Sequence, residues 1–339
     1  MDYESLSSEL LRALRGRRSQ AAFSRRLGYK SNVAYAWESG RAWPTAANFL
    51  RAAERVGVDS TTAIERFYRA RPEWLARLSG VSAASREGVS AFLRDLAAAR
   101  SIQEMARAAG SSRFVASRWL SGVTEPRLPD FLRMIEVTSL RLLDFVACFA
   151  DPRALPSIAR DFSELESARR LAYEHPFSHA VLRVLELEDY QRLARHQPGF
   201  IAERLGIDRD AEQRYLSLLV ESGQIRRVRG RYRLARVQTV DTRDKPELSR
   251  KLRAFWARVG VERLEAGGSG TYSYNLFCVS RADLARIRAL HRNYFRELRA
   301  IVAASQPAEC VALAIVNLLE LAEPEPSATM GQSGARATS

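Results

Sequence analysis

The sequence predicts a mainly α protein made of short helices in repeated bundles, with one β-hairpin and a small α/β unit near its C-terminal end. Three observations predict it. The phrase "VAYAWESGRAWP" at Val33 is answered by "VASRWLSGVTEP" at Val115, both with helical spacing of apolar residues. A stretch from Gly199 onward orders helix, turn, helix and an alternating hairpin. Beyond Pro246, amphipathic helical text is mixed with short apolar, β-rich runs.

The totals fit that class. An apolar share of 46% and a charged share of 27% in 339 residues are those of a globular chain with room for more than one core. No apolar run approaches the ~20 residues of a membrane span; the nearest, "LRLLDFVACFA", contains Asp144. The opening "MDYESLSSEL" lacks the features of a signal peptide, so a cytoplasmic location with no membrane partner is expected. Cys148, Cys278 and Cys310 lie too far apart for a zinc spacing or a disulfide framework and are expected as buried free thiols. The net charge of +14 points to a polyanion, nucleic acid first. Only Lys30, Lys245 and Lys251 are lysines, so the excess is carried by Arg.

Sliding the chain by the interval from Val33 to Val115 aligns Ser8–Phe67 with Ser90–Phe149 without a gap. Identities include Leu11/Leu93, Arg12/Arg94, Gly28/Gly110, Trp37/Trp119, Gly40/Gly122, Pro44/Pro126 and Glu54/Glu136, the mark of an internal duplication. In the first copy "SSELLRALRGR" is a helix on Leu10, Leu11 and Leu14. "SQAAFSRRLG" starts at Ser19, a candidate N-cap, and stops at Gly28. "NVAYAWESG" puts Val33, Ala34 and Trp37 on one face and stops at Gly40; a fourth helix follows Pro44, capped by Thr45, with Phe49, Leu50 and Ala53 inward. Two short helices joined by a Gly turn in such a bundle form a helix-turn-helix. The domains expected are 1–72, a second and degenerate copy at 84–152, a winged helix at 156–240, an α/β domain at 246–322 and a disordered tail at 323–339.

"SQAAFSRRLGYKSNVAYAWESGRAWPT" resembles the phage-repressor/Cro (XRE-like) type of helix-turn-helix, through Gln20, Gly28, Trp37–Glu38–Ser39–Gly40 and Pro44. The resemblance covers about sixty residues and implies a helix laid in the major groove of double-stranded DNA. Ser31, Asn32, Tyr35 and Ala36 would then face base edges, Asn32 offering a donor and an acceptor to adenine. Gln20 would hold a phosphate at a helix N-terminus, and Lys30 and Arg41 would add sequence-blind phosphate contacts. Glu38 is expected on Arg12 or Arg15, and Trp37 in the core. The second copy departs from the pattern: Ile102 stands for Gln20 and Leu120 for Glu38. Its recognition segment still carries Ser112, Arg113, Ser117 and Arg118, so DNA contact and a packing role both stay open there.

Farther along, His175 and His179 are four apart, but Pro176 lies between them and no third ligand is near, so no metal is expected. "GFIAERLGIDRDAEQRYLSLLVESGQIRRVRGRYRL" reads as a winged helix: Asp208 caps a helix with Tyr215, Leu216, Leu219 and Val220 as its stripe, and the hairpin turns at Arg229–Gly230. Arg226, Arg227, Arg229, Arg231 and Arg233 make that wing a candidate phosphate arm, while Asp208, Asp210 and Glu212 oppose DNA contact by the helix. An Arg-rich solvated hairpin is the other reading.

In the last region "KPELSRKLRAFWARVGVERLEA" is a helix with Leu248, Leu252, Phe255, Trp256 and Val259 inward, and "GGSG" a joint. "TYSYNLFCVS" reads as β, Ser280 and Asp283 start a long helix from Arg281 to Ala304, and "ECVALAIVNLLEL" reads as a buried strand. Roughly the last 160 residues resemble a family of uncharacterised bacterial regulator-like proteins, through "LRAFW" and "SYNLFCVSRADLARIRALHRNYFRELRAIVAAS". His291 lies near the apolar side of its helix and no catalytic constellation or phosphate loop is legible, so neither an enzyme nor a cofactor is expected. The expected function is a DNA-binding transcriptional regulator with a C-terminal sensing or assembly domain. The alternative is a protein-interaction adaptor in signalling. A homodimer, and a small-molecule or protein signal at the C-terminal domain, stay open as partners, since two similar domains on one chain can bind like a dimer.

Overall fold

The computed structural model describes residues 1–78, 80–97, 101–235, 242 and 245–321. The tail expected at 323–339 lies outside them. The described chain is mainly helical, and its one sheet is a two-stranded hairpin.

The first copy forms α1 (Tyr3–Arg15), α2 (Gln20–Arg26), α3 (Val33–Glu38), α4 (Ala46–Arg55) and α5 (Ser60–Tyr68). The short α6 (Glu73–Arg77) leads to the second copy, α7 (Arg86–Ala97), α8 (Ile102–Ala108), α9 (Arg113–Leu120), α10 (Leu128–Ser139) and α11 (Leu142–Val146). Side chains start the helices as expected: Ser19 and Thr45 accept from the backbone N–H groups of Ala22 and Asn48, at 3.2 and 3.3 Å. Gly28 and Gly40 end α2 and α3 at φ +90° and +72°, a backbone that side chains disfavour.

The two copies do not sit side by side as separate balls. One hydrophobic core runs from Leu6 to Leu165 and takes side chains from both. At its centre Phe67 of the first copy meets Phe92 and Phe145 of the second at ring distances of 5.9 and 5.8 Å, and Phe49 meets Phe149 at 5.2 Å.

The contact is reciprocal. The exit loops after α3 and α9 pair antiparallel through Thr45 and Arg127. The Ala46 N–H donates to the Pro126 carbonyl at 3.0 Å, and the Leu128 N–H donates to the Pro44 carbonyl at 2.9 Å. Ala46 and Leu128 hold equivalent places in the repeat, as do Pro44 and Pro126. The helices follow suit: α1 packs on α10 while α7 packs on α4, and α4 meets α10 and α5 meets α11 across the middle. Residue i touching j while the equivalent of j touches the equivalent of i is the definition of an isologous, two-fold interface. Here it lies inside one chain.

A 3₁₀ turn at Pro152–Ala154 leads to α12 (Ala159–Glu174), α13 (Phe177–Glu186), α14 (Glu188–Arg192), α15 (Phe200–Leu205) and α16 (Arg209–Glu221). Strands β1 (Ile225–Val228) and β2 (Arg231–Leu234) close this unit, with Val228 opposite Arg231. Arg229 and Gly230 both have positive φ, +53° and +81°, as a two-residue I′ turn requires. A second core gathers Leu171, Val181, Leu185, Tyr190, Ile201, Leu216 and Ile225. Helix α12 belongs to both cores, Phe162 and Leu165 to the first and Leu171 to the second. It is tied to the repeat by charge as well: the buried Asp144 carboxylate takes Arg169 of α12 on Oδ1 and Arg141 on Oδ2, the latter at 3.3 Å. Arg141 also donates to the Phe67 carbonyl at 2.7 Å.

Helix α17 (Pro246–Glu265) turns Leu252 inward, with Leu248, Phe255, Trp256 and Val259 half-buried on that side. Helix α18 (Arg281–Ala304) starts at Ser280, whose hydroxyl accepts from the Asp283 N–H at 3.0 Å. The strands expected on either side of α18 are not formed. Residues 271–280 and 308–321 lack regular secondary structure, and the second of these segments is largely exposed, not buried. Alternating apolar residues prepare a chain for a sheet, but a strand exists only where a neighbour takes up its backbone groups. The cysteines also depart from expectation: Cys278 and Cys310 are exposed and Cys148 is half-buried, its thiol pushed up to about 11 by burial.

Candidate nucleic-acid interface

Helix α3 is held by its inner side, where Ala34 and Trp37 are buried and the Trp37 ring stands edge-on to Tyr29 at 5.7 Å. Glu38 is buried too, and three side chains converge on it. Arg15 grips it with Nε on Oε1 at 2.6 Å and Nη2 on Oε2 at 3.2 Å; Arg12 stands at 3.9 Å. The third is Gln20, whose Nε2 donates to Oε2 at 2.9 Å. Glu38 therefore meets the expected arginines. Gln20, assigned to a phosphate, is instead half-buried and committed to Glu38 at its amide nitrogen.

The outer side of α3 is solvent-facing. Lys30, Ser31, Asn32, Tyr35 and Arg41 are exposed, and Ala36 is half-buried between them. The Arg41 guanidinium lies 5.1 Å from the Tyr35 ring centre, so the two form one cationic, aromatic edge. Asn32 has a second duty. Its Oδ1 caps α3 by accepting from the Tyr35 N–H at 3.4 Å, and also accepts from Ser24 at 3.2 Å. The two-point grip on adenine needs both amide atoms. With Oδ1 engaged, the NH₂ group is what Asn32 presents.

In the second copy the helix equivalent to α3 begins earlier. Ser112 caps α9, accepting from the Val115 N–H at 3.2 Å, and occupies the place of Lys30 rather than of Asn32. Arg113 is exposed at the helix start, while Ser117 and Arg118 are half-buried. Phe114, missed in the sequence, falls at the Asn32 position and is 68% exposed, with the Arg118 guanidinium 5.4 Å from its ring. The signal was available, since an apolar ring on the polar side of a helix has no partner in its own core.

The wing divides. Arg226, Arg227, Arg229 and Arg233 are exposed. Arg231 is not available to phosphate: its Nη1 donates to the carbonyl oxygens of Gln191 and, at 2.9 Å, Leu193, which pins the hairpin to the chain after α14. Glu212, one of the three carboxylates that oppose DNA contact by this helix, is buried. Its carboxylate accepts from the N–H groups of Gly199 and Ala202 at 3.0 and 2.6 Å and lies 3.2 Å from His196. Asp208 caps α16 and Asp210 stays outside.

Behind the hairpin, a cavity of about 1430 Å³ opens among α12, α13, α16 and α17. Phe177, Trp256, Arg183, Arg226 and Arg263 line it, with His179, whose pKa burial lowers to about 4. Among the described residues no cluster of potential metal ligands occurs, and no helix is long and apolar enough to cross a membrane.

Neither a curated protein nor a solved structure matches the chain. Residues 158–319, from the start of α12 through the β-hairpin and both C-terminal helices, match a family described as a domain of unknown function, DUF4423.

Proposed function

We propose that the chain is a sequence-specific, double-stranded-DNA-binding transcriptional regulator of the phage-repressor/Cro-like kind rather than an enzyme. The observation that carries this reading is the two-sidedness of α3. Its inner side is locked by Trp37 and by the network on Glu38, while Lys30, Ser31, Asn32, Tyr35 and Arg41 stand together in solvent. Rigid seating with an outward polar face is what groove reading needs, because base contacts demand fixed geometry and phosphate contacts demand exposed cations. The net charge of +14 supplies the sequence-blind share of the attraction. Arg226, Arg227 and Arg229 extend the cationic surface on the wing.

The C-terminal part is read as the sensing or assembly region. The cavity lined by Phe177, Trp256 and Arg263 supports sensing. Side chains such as Tyr274, Leu276 and Leu319, exposed at 97%, 78% and 75%, support assembly.

The test is fluorescence anisotropy with DNA from upstream of the chain's own gene and with scrambled DNA, at low and physiological salt. Binding that prefers the upstream duplex, survives salt and weakens in Asn32→Ser is the expected result, since Ser keeps the cap and removes the amide. Equal binding to both duplexes that disappears with salt leaves charge alone at work and ends the regulator reading.

A further inference from the structure

We infer that one chain reads two half-sites: its DNA target is an inverted pair of unlike half-sites about one helical turn apart, the first read by α3 and the second by α9. The inference rests on the DNA-binding reading above and adds to it the form of the target.

The argument starts at the exit loops. Thr45 and Arg127 pair across the pseudo-two-fold, flanked by the reciprocal bonds from Ala46 to Pro126 and from Leu128 to Pro44. A two-fold axis gives two equivalent surfaces the same inclination to it. That is the relation one duplex needs, because DNA has local two-fold axes of its own.

Distance follows from the same loops. The Ala42 N–H donates to the Ala36 carbonyl at 3.2 Å, and its equivalent, Thr124, donates to Arg118 at 3.2 Å. Ala42 therefore lies close beside the middle of α3. From there three residues reach Thr45, at most about 11 Å of chain. Adding about 7 Å across the turn, about 5 Å for the bridge and the mirror path on the other side, the middles of α3 and α9 are no more than about 41 Å apart. That limit admits the roughly 34 Å of one duplex turn and excludes the roughly 68 Å of two.

Symmetry of the frame is combined with asymmetry of the readers. α3 presents Ser31, the Asn32 amide and Tyr35, whereas α9 presents Arg113, Phe114 and Ser117. Arg favours the paired acceptors of guanine, and an aromatic ring favours the thymine methyl. The second half-site is accordingly expected to carry guanine and thymine. The loss of Gln20 and Glu38 from the second copy does not weigh against this, since in the first copy both serve the interior.

The experiment selects duplexes from random DNA with the full chain. It then measures protection, stoichiometry by sedimentation, and affinity for the wild type, Arg113→Ala and Asn32→Ser. Arg113 and Asn32 are exposed; the circular dichroism of each variant is recorded beside its affinity. The result expected is one chain per duplex and protection of two half-sites. Inserting five base pairs between them should weaken binding about tenfold or more, because it rotates one half-site to the far side of the duplex. Arg113→Ala should relax preference in the second half-site only, and Asn32→Ser in the first only. Specific binding with a single half-site protected, or two chains per pair of half-sites, or indifference to the insertion, overturns the inference while leaving the DNA reading intact. Absence of any selected sequence overturns both.

Discussion

The two halves of the repeat keep one backbone plan with opposite interiors. In the first, the half-buried Arg15 and Gln20 close on the buried Glu38 in a polar knot. At the equivalent places the second has Ala97, Ile102 and Leu120, all three apolar, with Ala97 and Leu120 buried and Ile102 packed against the same core. None of the polar three is left behind to miss its partners. A half-removed network would strand a charge, whereas removing it entire exchanges ion pairing for packing, which often costs nothing. What looks in the sequence like decay of the second copy is therefore a concerted replacement of these three, with only the exposed Arg12 kept, as Arg94. It also separates two properties that sequence patterns merge, namely the residues that hold α3 or α9 in place and the residues that face outward from it.

The shared aromatic centre gives the largest effect. Phe145→Ala should cost about 4 kcal/mol, as loss of a fully buried ring does. Urea denaturation followed by Trp fluorescence should show both copies melting in one transition, although the residue lies in only one of them. Two separated transitions would break the picture of a common core.

Next is the knot itself. Glu38→Leu alone should cost about 3 kcal/mol by leaving Arg15 and Gln20 without their acceptor. The triple change Arg15→Ala, Gln20→Ile, Glu38→Leu, which writes the second copy's interior into the first, should recover to within about 1 kcal/mol of the starting stability. If the triple variant is no better than the single one, the two interiors are not interchangeable.

The caps offer a finer comparison. Asn32→Ala and Ser112→Ala should each cost about 1 kcal/mol, because each removes one acceptor from a helix start. Unequal losses would show that Ser24, which bonds Asn32 but has no counterpart contact on Ser112, contributes to the first cap. The smallest expected change concerns the wing. Arg229→Ala should lower the salt slope of DNA binding by about one unit, and Arg231→Ala should leave it unchanged. Its guanidinium is already spent on the Gln191 and Leu193 carbonyls.

Much of this was readable in advance, because it depends on local rules. The caps at Ser19, Thr45, Asp208 and Ser280 follow from side chains that can reach a free N–H, and the hairpin turn follows from Arg229–Gly230. The fusion of the two copies was not readable. Its central bonds join Pro44 and Pro126 carbonyls to backbone N–H groups, and backbone pairing between distant loops leaves no trace in residue type. Asn32 shows another limit, since an asparagine that starts a helix and one that touches a base look alike in a sequence. The burial of Glu212 is a related case: charge alone does not announce it, and it follows from the N–H groups of Gly199 and Ala202, which give a buried carboxylate its acceptor role. The C-terminal apolar segments had the period of strands without a neighbour to pair with.

Helix α12 has a mechanical meaning. Sixteen residues make a rod about 24 Å long, one end set in the repeat and the other in the unit that carries the hairpin. Asp144 and Arg169 fasten the shaft to the repeat, and Leu171 seats its other end in the second core. With one unbroken helix shared by the two cores at this point, a twist applied to the hairpin unit arrives at the repeat as torque along an axle.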